Sequence, residues 1–436
     1  MKHLHFIGIE GSGASAVASV AKAAGYKVSG CDRHLTGEYS SLFDPETVFV
    51  EHSIKHLQGV DAVILSPAIE IADPNNAELK AAKELKLEVL TWQQFLGKYL
   101  LKNKLVIAVC GTHGKSTTTA MIGTVLTDAG LDPTVVLGAK VNSWGQNFRV
   151  GKSDYFVVEA DEYNNNFMAY APNITVVTNI DVDHLEYFKD FAHIQQSFED
   201  FLIKTKETVV ANLLDVNVAE TVKWVMKQSG TAVLDFNKIT IFSANKIEVG
   251  LALQVPGQFN ISNAKAAFQV GLLLEIEPDR IIKSLNNYQG IGRRFEKIGD
   301  LNGAEVYSDF AHHPREVFVT LEAARQKFPQ KKITLIFQPH LYSRTKLLFN
   351  DFVDVLQRAP IDRGVVVEIF ASRENDPGDI SSRMLVDMIN KGTIEYQPTV
   401  KDELLQIKSE LNENHVVILM GAGDIDLTGR RFLENF

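Results

Sequence analysis

The sequence predicts an α/β protein with mostly parallel sheets, because short apolar runs alternate with helical stretches almost throughout its 436 residues. Two of the apolar runs lead into glycine-rich turns followed by helix-compatible residues, which is the pattern of a strand, a ligand-binding loop and a helix. A chain of this length accommodates two to four domains. We expect three, over residues 1–102, 103–296 and 297–436.

The first segment begins with one of the two glycine loops. Its predicted order is a strand at 4–9, a helix at 14–24, strands at 27–31 and 62–65, a helix at 76–85 and a strand at 88–90. Gly8, Gly11 and Gly13 follow the first strand, and Asp32 closes the second. This is the layout of a Rossmann-like dinucleotide site. The glycine order, G-x-x-G-x-G, departs from the usual fingerprint, so we favour the pyrophosphate of a UDP-sugar. A structural turn and a nicotinamide-dependent dehydrogenase are the alternatives.

The second segment opens with the other glycine loop, at 111–116, between an apolar strand that starts at Leu105 and a helix at 117–126. Its backbone N–H groups would face anionic oxygens, Lys115 would reach the β- and γ-phosphates, and the Ser116 hydroxyl would bind Mg²⁺. The first glycine of the general pattern would fall at Val109 and stands at 111 instead. The segment is therefore predicted to be a P-loop ATPase-like domain that binds a nucleoside triphosphate.

Acidic residues follow two further strands of this segment, whose strands are expected near 134–137, 155–158, 174–178 and 208–211. Glu159, Asp161 and Glu162 end one strand, and another strand is followed by Asp181, Asp183 and His184. Because ligands bind at the carboxyl ends of parallel strands, these groups predict a site for a hard cation beside the phosphates. A solvated acidic loop is the alternative. A β-rich stretch at 232–255 and helices at 260–286 complete the segment.

The third segment is predicted to be a second Rossmann-like α/β domain, with strands at 305–308, 332–337, 364–369 and 415–420. Residues 290–294 form a glycine-basic hinge candidate before it. His312 and Arg344 each follow a strand, and Arg344 could hold a carboxylate through two hydrogen bonds. Capped loops without a binding role are the alternative.

Composition limits the class of protein. The hydrophobic content of 45% is that of a globular protein, and no apolar run is long enough to span a membrane. The net charge of −10 argues against nucleic-acid binding. The two cysteines, Cys31 and Cys110, are expected to be reduced thiols. We expect a cytoplasmic protein without membrane insertion, a monomer or weak homodimer.

Together these segments resemble the Mur ligase family, the ATP-dependent amide-forming enzymes of peptidoglycan precursor synthesis. The resemblance spans essentially the whole chain and rests on residues 8–13, 111–119, 159–162, 178–184, 257–263, 293–296, 312–314 and 337–340. Within the family, the chain most resembles the members that join L-alanine to the lactyl carboxylate of UDP-N-acetylmuramate through an acyl phosphate. The resemblance also implies that the third domain closes over the second.

The resemblance implies ATP and Mg²⁺ as cofactors and UDP-N-acetylmuramate and L-alanine as substrates. It implies that the catalytic residues are Lys115, His184, Glu159, His312 and Arg344. It implies that the ATP-binding residues are Gly111, Thr112, His113, Gly114, Lys115, Ser116, Thr117, Asn260, Asn263, Arg294 and Asp309. It implies that the UDP-sugar contacts Gly11, Ser12, Gly13, Asp32, Ser66 and Ala68, and that the metal ligands are Ser116, Glu159 and His184.

Three positions differ from the pattern of the alanine-adding members. Leu341 stands where an arginine is usual, Phe310 where a tyrosine is common, and Phe259 where a histidine usually precedes the asparagine that binds adenine. The helix at 195–199 carries no lysine, which favours the alanine-adding type over members that use a carbamylated lysine there. A ligase that recycles murein tripeptide onto the same UDP-sugar and a non-catalytic nucleotide-binding relative are the alternatives.

Overall fold

The structure, a computed structural model, describes residues 2–35, 37–73, 75–184, 187–236, 251–372, 374–389 and 392–435. The chain divides into two compact units, one of residues 1–254 with 261–289 and one of residues 255–260 with 290–436. The first unit contains two sheets and the second contains one. The α/β class with three mostly parallel sheets is therefore confirmed.

Eighteen strands are assigned within the described residues. They are β1 His3–Ile7, β2 Lys27–Asp32, β3 Val48–Val50, β4 Ala62–Leu65, β5 Glu88–Thr91, β6 Leu105–Cys110, β7 Thr134–Val141, β8 Gln146–Arg149, β9 Tyr155–Glu159, β10 Ile174–Val177, β11 Thr208–Ala211, β12 Ala232–Asp235, β13 Glu296–Leu301, β14 Ala304–Asp309, β15 Lys332–Phe337, β16 Arg363–Val366, β17 Ile394–Tyr396 and β18 His415–Met420.

The α-helices alternate with these strands. They are α1 Ser12–Ala23, α2 Pro67–Ala72, α3 Ala77–Glu84, α4 Trp92–Phe95, α5 Lys115–Asp128, α6 Phe191–Ile203, α7 Val216–Ser229, α8 Gln258–Leu273, α9 Pro278–Asn286, α10 Pro314–Lys327, α11 Tyr342–Leu347, α12 Phe349–Arg358, α13 Ser382–Met388, α14 Val400–Ile407 and α15 Ile425–Leu433. A π-helical turn, Leu96–Leu100, extends α4.

The first sheet has the strand order β3-β2-β1-β4-β5, and all its neighbouring strands are parallel. The direction of winding reverses between β1 and β4, which is where doubly wound sheets bind their ligands. Helix α1 lies between this sheet and the hairpin β7–β8 of the second sheet. Its residues from Ala14 to Ala21 are all buried, because both of its sides are covered.

The second and third sheets are also wound around a central strand. The second has the order β12-β11-β10-β6-β9-β7-β8, and only β7 and β8 are antiparallel. The third has the order β13-β14-β18-β15-β16-β17, and only β13 and β14 are antiparallel. In the second sheet the first strand, β6, lies inside the sheet, whereas in the third sheet β13 is an edge strand and the parallel strands β14, β18 and β15 lie inside. In both sheets the loops after these parallel strands begin at one edge.

The differences from the sequence prediction lie mainly in the edge strands. Strands β3, β8, β13 and β17 were not predicted, because they are short or lie where apolar and polar residues do not alternate clearly. The strand predicted at 364–369 ends at Val366, and the phosphate-loop helix begins at Lys115 rather than at 117. The β-rich stretch expected at 232–255 yields β12, but residues 237–250 lie outside the described part of the chain.

None of the helices in the described part of the chain combines the length and the apolar character that crossing a lipid bilayer requires.

Candidate active site

Three strand ends of the second sheet lie side by side and carry most of the predicted ATP-site residues. In the register of this sheet, Val177 at the end of β10 pairs with Cys110 at the end of β6, and Val109 pairs with Glu159 at the end of β9. The loops after β6, β9 and β10 therefore begin at the same edge. The structure brings Lys115, Glu159 and His184 to this one edge of the sheet, as the strand-end argument predicted.

Two glycines give the phosphate loop its path. Gly111 has a φ of 130° and Gly114 a φ of 85°, both in the region that favours glycine. A Cβ at Gly111 would overlap the Thr178 hydroxyl, and one at Gly114 would lie 2.7 Å from Oδ1 of Asn263. Helix α5 begins directly after Gly114, so its unpaired N–H groups face the loop.

Neighbouring residues hold the loop from the β10 side. The backbone N–H of Thr112 donates to the Asn179 carbonyl at 3.0 Å, and the N–H of His113 donates to Asn179 Oδ1 at 2.8 Å. The Thr178 hydroxyl donates to the His113 carbonyl at 2.7 Å. The loop is therefore held in shape by the chain itself, and Thr117 on α5 is buried behind it.

Lys115 forms a buried ion pair with Glu162. Its ammonium donates to the two Glu162 carboxylate oxygens at 2.8 and 3.0 Å, and to the Gly111 and Thr112 carbonyls at 2.8 and 3.2 Å. Burial disfavours the charge of Lys115, but the Glu162 and Asp161 carboxylates outweigh it and raise the pKa of Lys115. Lys115 is therefore a fixed cation in the middle of an anion-binding loop.

Ser116 and Glu159 form the first set of groups that could hold a metal ion. The Ser116 hydroxyl donates to Glu159 Oε1 at 2.8 Å, and the N–H of Gly138 donates to Oε2 at 2.6 Å. A hydroxyl and a carboxylate at the N-terminus of a phosphate-loop helix are hard oxygen donors, which magnesium prefers. These residues fit the expected magnesium site.

A second set lies after β9 and β10. The ligand atoms of Asp161, Glu162 and His184 all lie within 4.8 Å of one another. His184 has a φ of 56°, and its ring lies 4.9 Å from the ring of Tyr163. Two carboxylates and an imidazole offer the oxygen and nitrogen ligands of a second divalent cation. Cys110, at the base of the loop, is buried, and this burial raises the pKa of its thiol, which favours the neutral form.

The predicted UDP-sugar residues gather at the switch point of the first sheet. Gly11, Ser12 and Gly13 form the N-terminus of α1 after β1, and Ser66 and Ala68 follow the neighbouring strand β4. The N–H of Ser66 donates to the Ile7 carbonyl at 3.0 Å.

Asp32 fixes the loop of the first sheet rather than pointing away from it. Its carboxylate accepts hydrogen bonds from the backbone N–H of Glu10 at 3.0 Å and of Arg33 at 2.8 Å. A carboxylate has lone pairs beyond these two, so it can still accept from a ribose hydroxyl. The Ser12 carbonyl accepts from Asn147 Nδ2 at 2.6 Å, which fixes the α1 N-terminus from β8.

In the second unit, Asp309 ends β14 and lies beside the end of β18, where it pairs with Met420. Its carboxylate accepts from the backbone N–H of Phe295 and of Ala311, each at 2.8 Å. Burial raises the pKa of Asp309 to about 6, although Arg294 opposes the shift. Asp309 thus holds the loops at this edge of the third sheet.

The other predicted residues of the second unit surround Glu316, on α10. Arg294 Nη1 lies 3.5 Å from Glu316 Oε1, and His312 Nδ1 lies 3.6 Å from Oε2. The rings of His312 and His340 are 5.8 Å apart, and His340 Nδ1 lies 3.3 Å from Arg344 Nη1. His312, His340 and Arg344 therefore form one contiguous row of nitrogen-bearing side chains.

The two asparagines expected at the adenine lie on α8 one turn apart, and both are buried. Asn260 Nδ2 donates to the Pro256 carbonyl at 2.6 Å. Leu341, the position that differs from the usual arginine, is also buried and has a φ of 70°.

Several residues that the structure places in these sites were not predicted from the sequence. Glu162 was recognised as one of three carboxylates after β9 but was not predicted to be a site residue. Its pairing with Lys115 depends on the three-dimensional fold and cannot be inferred from sequence spacing. Glu316 carries no motif signal apart from its place one turn after His312. The loop after β18 also lies at this site, since the N–H of Gly421 donates to the Asp309 carbonyl at 3.0 Å. In the sequence, only the glycines of this loop indicate a turn there.

Comparison with known families identifies three consecutive domains. Residues 3–104 match the profile described as Mur ligase family, catalytic domain. Residues 109–271 match the Mur ligase middle domain, and residues 293–423 match the Mur ligase, glutamate ligase domain.

Individual relatives align over nearly the whole chain. A UDP-N-acetylmuramate–L-alanine ligase from Caldanaerobacter subterraneus subsp. tengcongensis is 36% identical over 99% of this chain and 97% of its own length. One from Clostridium perfringens is 35% identical over 99% of this chain and 98% of its own length.

Solved structures agree with these relatives. A UDP-N-acetylmuramate–alanine ligase from Thermotoga maritima has a TM-score of 0.82 at 27% identity, over 100% of this chain and 99% of that one. A murein peptide ligase from Psychrobacter arcticus shares the fold, with a TM-score of 0.70 at 22% identity over 100% of this chain and 98% of that one. Since the three family profiles match most of the chain and relatives above 30% identity span nearly all of it, the chain belongs to the Mur ligase family.

Proposed function

We propose that this chain is an ATP-dependent ligase that joins L-alanine to the lactyl carboxylate of UDP-N-acetylmuramate, a step of peptidoglycan precursor synthesis. The observation that carries the proposal is the convergence of Lys115, Ser116 and Glu159 on one sheet edge, in a chain whose full-length relatives are named for this reaction. We expect such an enzyme to act in the cytoplasm, where nucleotide-linked substrates are made.

The reaction has two chemical steps. The lactyl carboxylate attacks the γ-phosphorus of ATP, ADP leaves, and an acyl phosphate forms. The amine of L-alanine then attacks the acyl carbon, loses a proton, and phosphate leaves through a tetrahedral intermediate. Phosphorylation is needed because a carboxylate is a poor acyl donor at neutral pH.

The phosphate loop supports the first step. The N–H groups of residues 111–117 and the Lys115 ammonium face the triphosphate, and Lys115 stabilises the charge on the transferring phosphoryl group. Ser116 and Glu159 would hold one magnesium ion, and His184, with Asp161 and Glu162, a second. When bound, magnesium neutralises charge on the phosphate oxygens and orients the phosphoryl group for transfer.

The remaining predicted residues bind the substrates. The N-terminus of α1 and the turn after β4 take the UDP pyrophosphate, and Asp32 takes a ribose hydroxyl. Asn260 and Asn263 bind adenine, while Arg294 and Asp309 contact the nucleotide near its phosphates and ribose. His312 and Arg344 hold the amino acid, since a guanidinium can bind its carboxylate through two hydrogen bonds.

The acceptor is the part of the proposal most in need of a direct test. We would measure phosphate release with Mg-ATP and UDP-N-acetylmuramate, and compare L-alanine, glycine, L-serine and the L-Ala-γ-D-Glu-diaminopimelate tripeptide. Release that depends on L-alanine is expected. Release with the tripeptide alone would make the chain a recycling ligase, and the absence of release with any of the four acceptors would favour a non-catalytic relative.

A variant pair ties the activity to the phosphate loop. Lys115→Met should abolish phosphate release, because no other cation replaces it in the loop. Lys104→Met is the matched control, since Lys104 lies just before β6 and pairs with the exposed carboxylate of Asp154. A Lys115→Met protein with a near-normal rate would remove the loop from the mechanism.

A further inference from the structure

A buried cluster of titratable side chains lies on the face of the first sheet away from α1. Side chains alternate between the two faces along a strand, so His5 and Ile7 of β1 point to the same face. Cys31 of β2 pairs with Ile7 in the parallel register and therefore points to this face as well. Glu78, on α3, covers them. All three side chains are fully buried, among apolar neighbours that include Leu57, Val63 and Leu79.

The carboxylate of Glu78 is the centre of the cluster. His5 Nε2 lies 3.0 Å and His56 Nδ1 lies 3.2 Å from Oε1, and Cys31 Sγ lies 3.0 Å from Oε2. His52 Nδ1 lies 3.4 Å from Oε2 and 3.1 Å from Cys31 Sγ. None of these groups belongs to the ligase site described above.

We propose that His5, Cys31, His56 and Glu78 bind one zinc ion. The four ligand atoms lie within 4.8 Å of one another. Ligand atoms around a tetrahedral zinc ion, at its usual bond lengths, stand about 3.3 to 3.7 Å apart, so the cluster needs only small adjustments. One thiolate, two imidazoles and one carboxylate favour zinc over magnesium. The thiolate and carboxylate would also balance the charge of the ion in a buried site.

The side chains are held in orientations that suit a metal. The Ser29 hydroxyl lies 2.9 Å from His5 Nδ1, which leaves Nε2 directed at Glu78. Although Nε2 is buried and 3.0 Å from Glu78 Oε1, its geometry is not that of a hydrogen bond. The ring of His56 stacks on Phe49 at 4.3 Å with an angle of 12°. The hydrogen bond to His5 Nδ1 is of the kind that orients metal-binding histidines, and the stacking on Phe49 restricts the orientation of the His56 ring.

The ion would fasten four segments that meet beside the UDP-sugar loop. It joins β1, β2, the turn at Ile54–Leu57 and the first turn of α3. The Cys31 carbonyl also accepts the N–H groups of Gly8 at 2.8 Å and Ile9 at 3.1 Å, where the loop begins. The role is therefore structural, and it is independent of the ligase reaction.

Cobalt titration of the full chain, stripped with a chelator, tests the ligand set. Cobalt bound by a thiolate gives a sulfur-to-metal charge-transfer absorption, which should saturate at about one equivalent and disappear when zinc is added. Cobalt at Asp161, Glu162 and His184 gives no such band, because that group contains no cysteine. Cys31→Ser should abolish the band and Cys110→Ser should keep it. No band, or a band that survives Cys31→Ser, overturns the proposal.

Thermal melting of the wild-type chain tests the proposal even if Cys31→Ser does not fold. Zinc at about 100 times its Kd should raise the Tm of the stripped wild-type chain by roughly 5 °C. His56→Gln, at the edge of the cluster, should weaken zinc binding by more than about tenfold and leave the metal-free Tm nearly unchanged. A wild-type Tm that zinc does not move would mean a hydrogen-bonded polar cluster only, and the proposal would fail.

Discussion

The ion pair between Lys115 and Glu162 leads to a prediction with a defined size and pH dependence. Lys115→Met removes the cation at nearly constant volume and leaves the Glu162 carboxyl buried, with Asp161 close by. A buried carboxylate without a cation takes up a proton rather than stay charged. Burial already raises the pKa of Glu162 in the intact pair. The substitution therefore lowers the free energy of unfolding by the free energy needed to protonate Glu162.

That cost depends on pH. Protonating at pH 7 a carboxyl whose ordinary pKa is 4.5 costs about 3.4 kcal/mol, and doing so at pH 5 costs about 0.7 kcal/mol. In the variant, the pKa of Glu162 is higher in the folded than in the unfolded chain. The free energy of unfolding of the variant is therefore reduced least below about pH 4.5, and it falls as the pH rises towards the raised pKa.

Comparison with the double variant Lys115→Met/Glu162→Gln isolates this term, because glutamine has no charge to lose. We expect the single variant to melt roughly 6–12 °C below the double variant at pH 7 and about 2 °C below it at pH 5. The assay is tryptophan fluorescence of the ligand-free chain during heating. The three tryptophans, Trp92, Trp144 and Trp224, all lie in the first unit, so the signal reports that unit.

Lys104→Met is the control, since its partner Asp154 is 81% exposed. We expect it to lose less than about 1 kcal/mol, with no difference between pH 5 and pH 7. The reasoning would be refuted by a gap between the single and double variants that is the same at both pH values. It would also be refuted by a double variant less stable than the single one at pH 7.

Three further predictions concern single residues of the proposed sites. Gly111→Ala should weaken ATP binding by the equivalent of about 1–3 kcal/mol, measured by calorimetry, because φ is 130° and the new Cβ overlaps Thr178; an unchanged Kd would contradict the loop geometry. The pKa of Asp309 is raised to about 6 from 3.8, chiefly by burial. At pH values between these two, the folded chain holds a proton on Asp309 that the unfolded chain has released. Stability should therefore fall by up to about 3 kcal/mol as the pH rises from about 4 to above 6. Asp309→Asn should lose this slope in calorimetric melting, and a slope that persists would exclude Asp309 as its source. Arg344→Ala should raise the KM for L-alanine by about tenfold without changing that for ATP, whereas the exposed Lys346→Ala should change neither; equal effects of both variants would remove Arg344 from the acceptor site.

The sequence predicted the fold where local patterns are strong. The buried strands β1, β6 and β15 are apolar runs followed by turn residues, and their positions were predicted to within about two residues. The edge strands β3 and β17 have three residues each, too few for a period to be recognised. Their pairing is decided by the neighbouring strand, which a local pattern does not contain.

The candidate site was predictable to the extent that its residues follow strands. Lys115, Glu159 and His184 could be expected at one edge because each comes after a parallel strand. The pairing of Lys115 with Glu162 could not, because it depends on strands β6 and β9 being neighbours although β7 and β8 lie between them in the chain. The cluster around Glu78 was missed for the same reason, since its members are spread over residues 5–78.

The burial of residues 14–21 of helix α1 on both sides has a consequence for attempts to divide the molecule. A helix on the outside of a sheet normally keeps one polar face in water, but α1 is rich in alanine and valine and is covered by β7 and β8 as well. A fragment ending near residue 102 would expose that second face as an apolar stripe. The complementary fragment would expose β8, an unprotected edge strand with Asn147 at its centre. Both pieces would thus be prone to aggregate, and the first two domains should be expressed together.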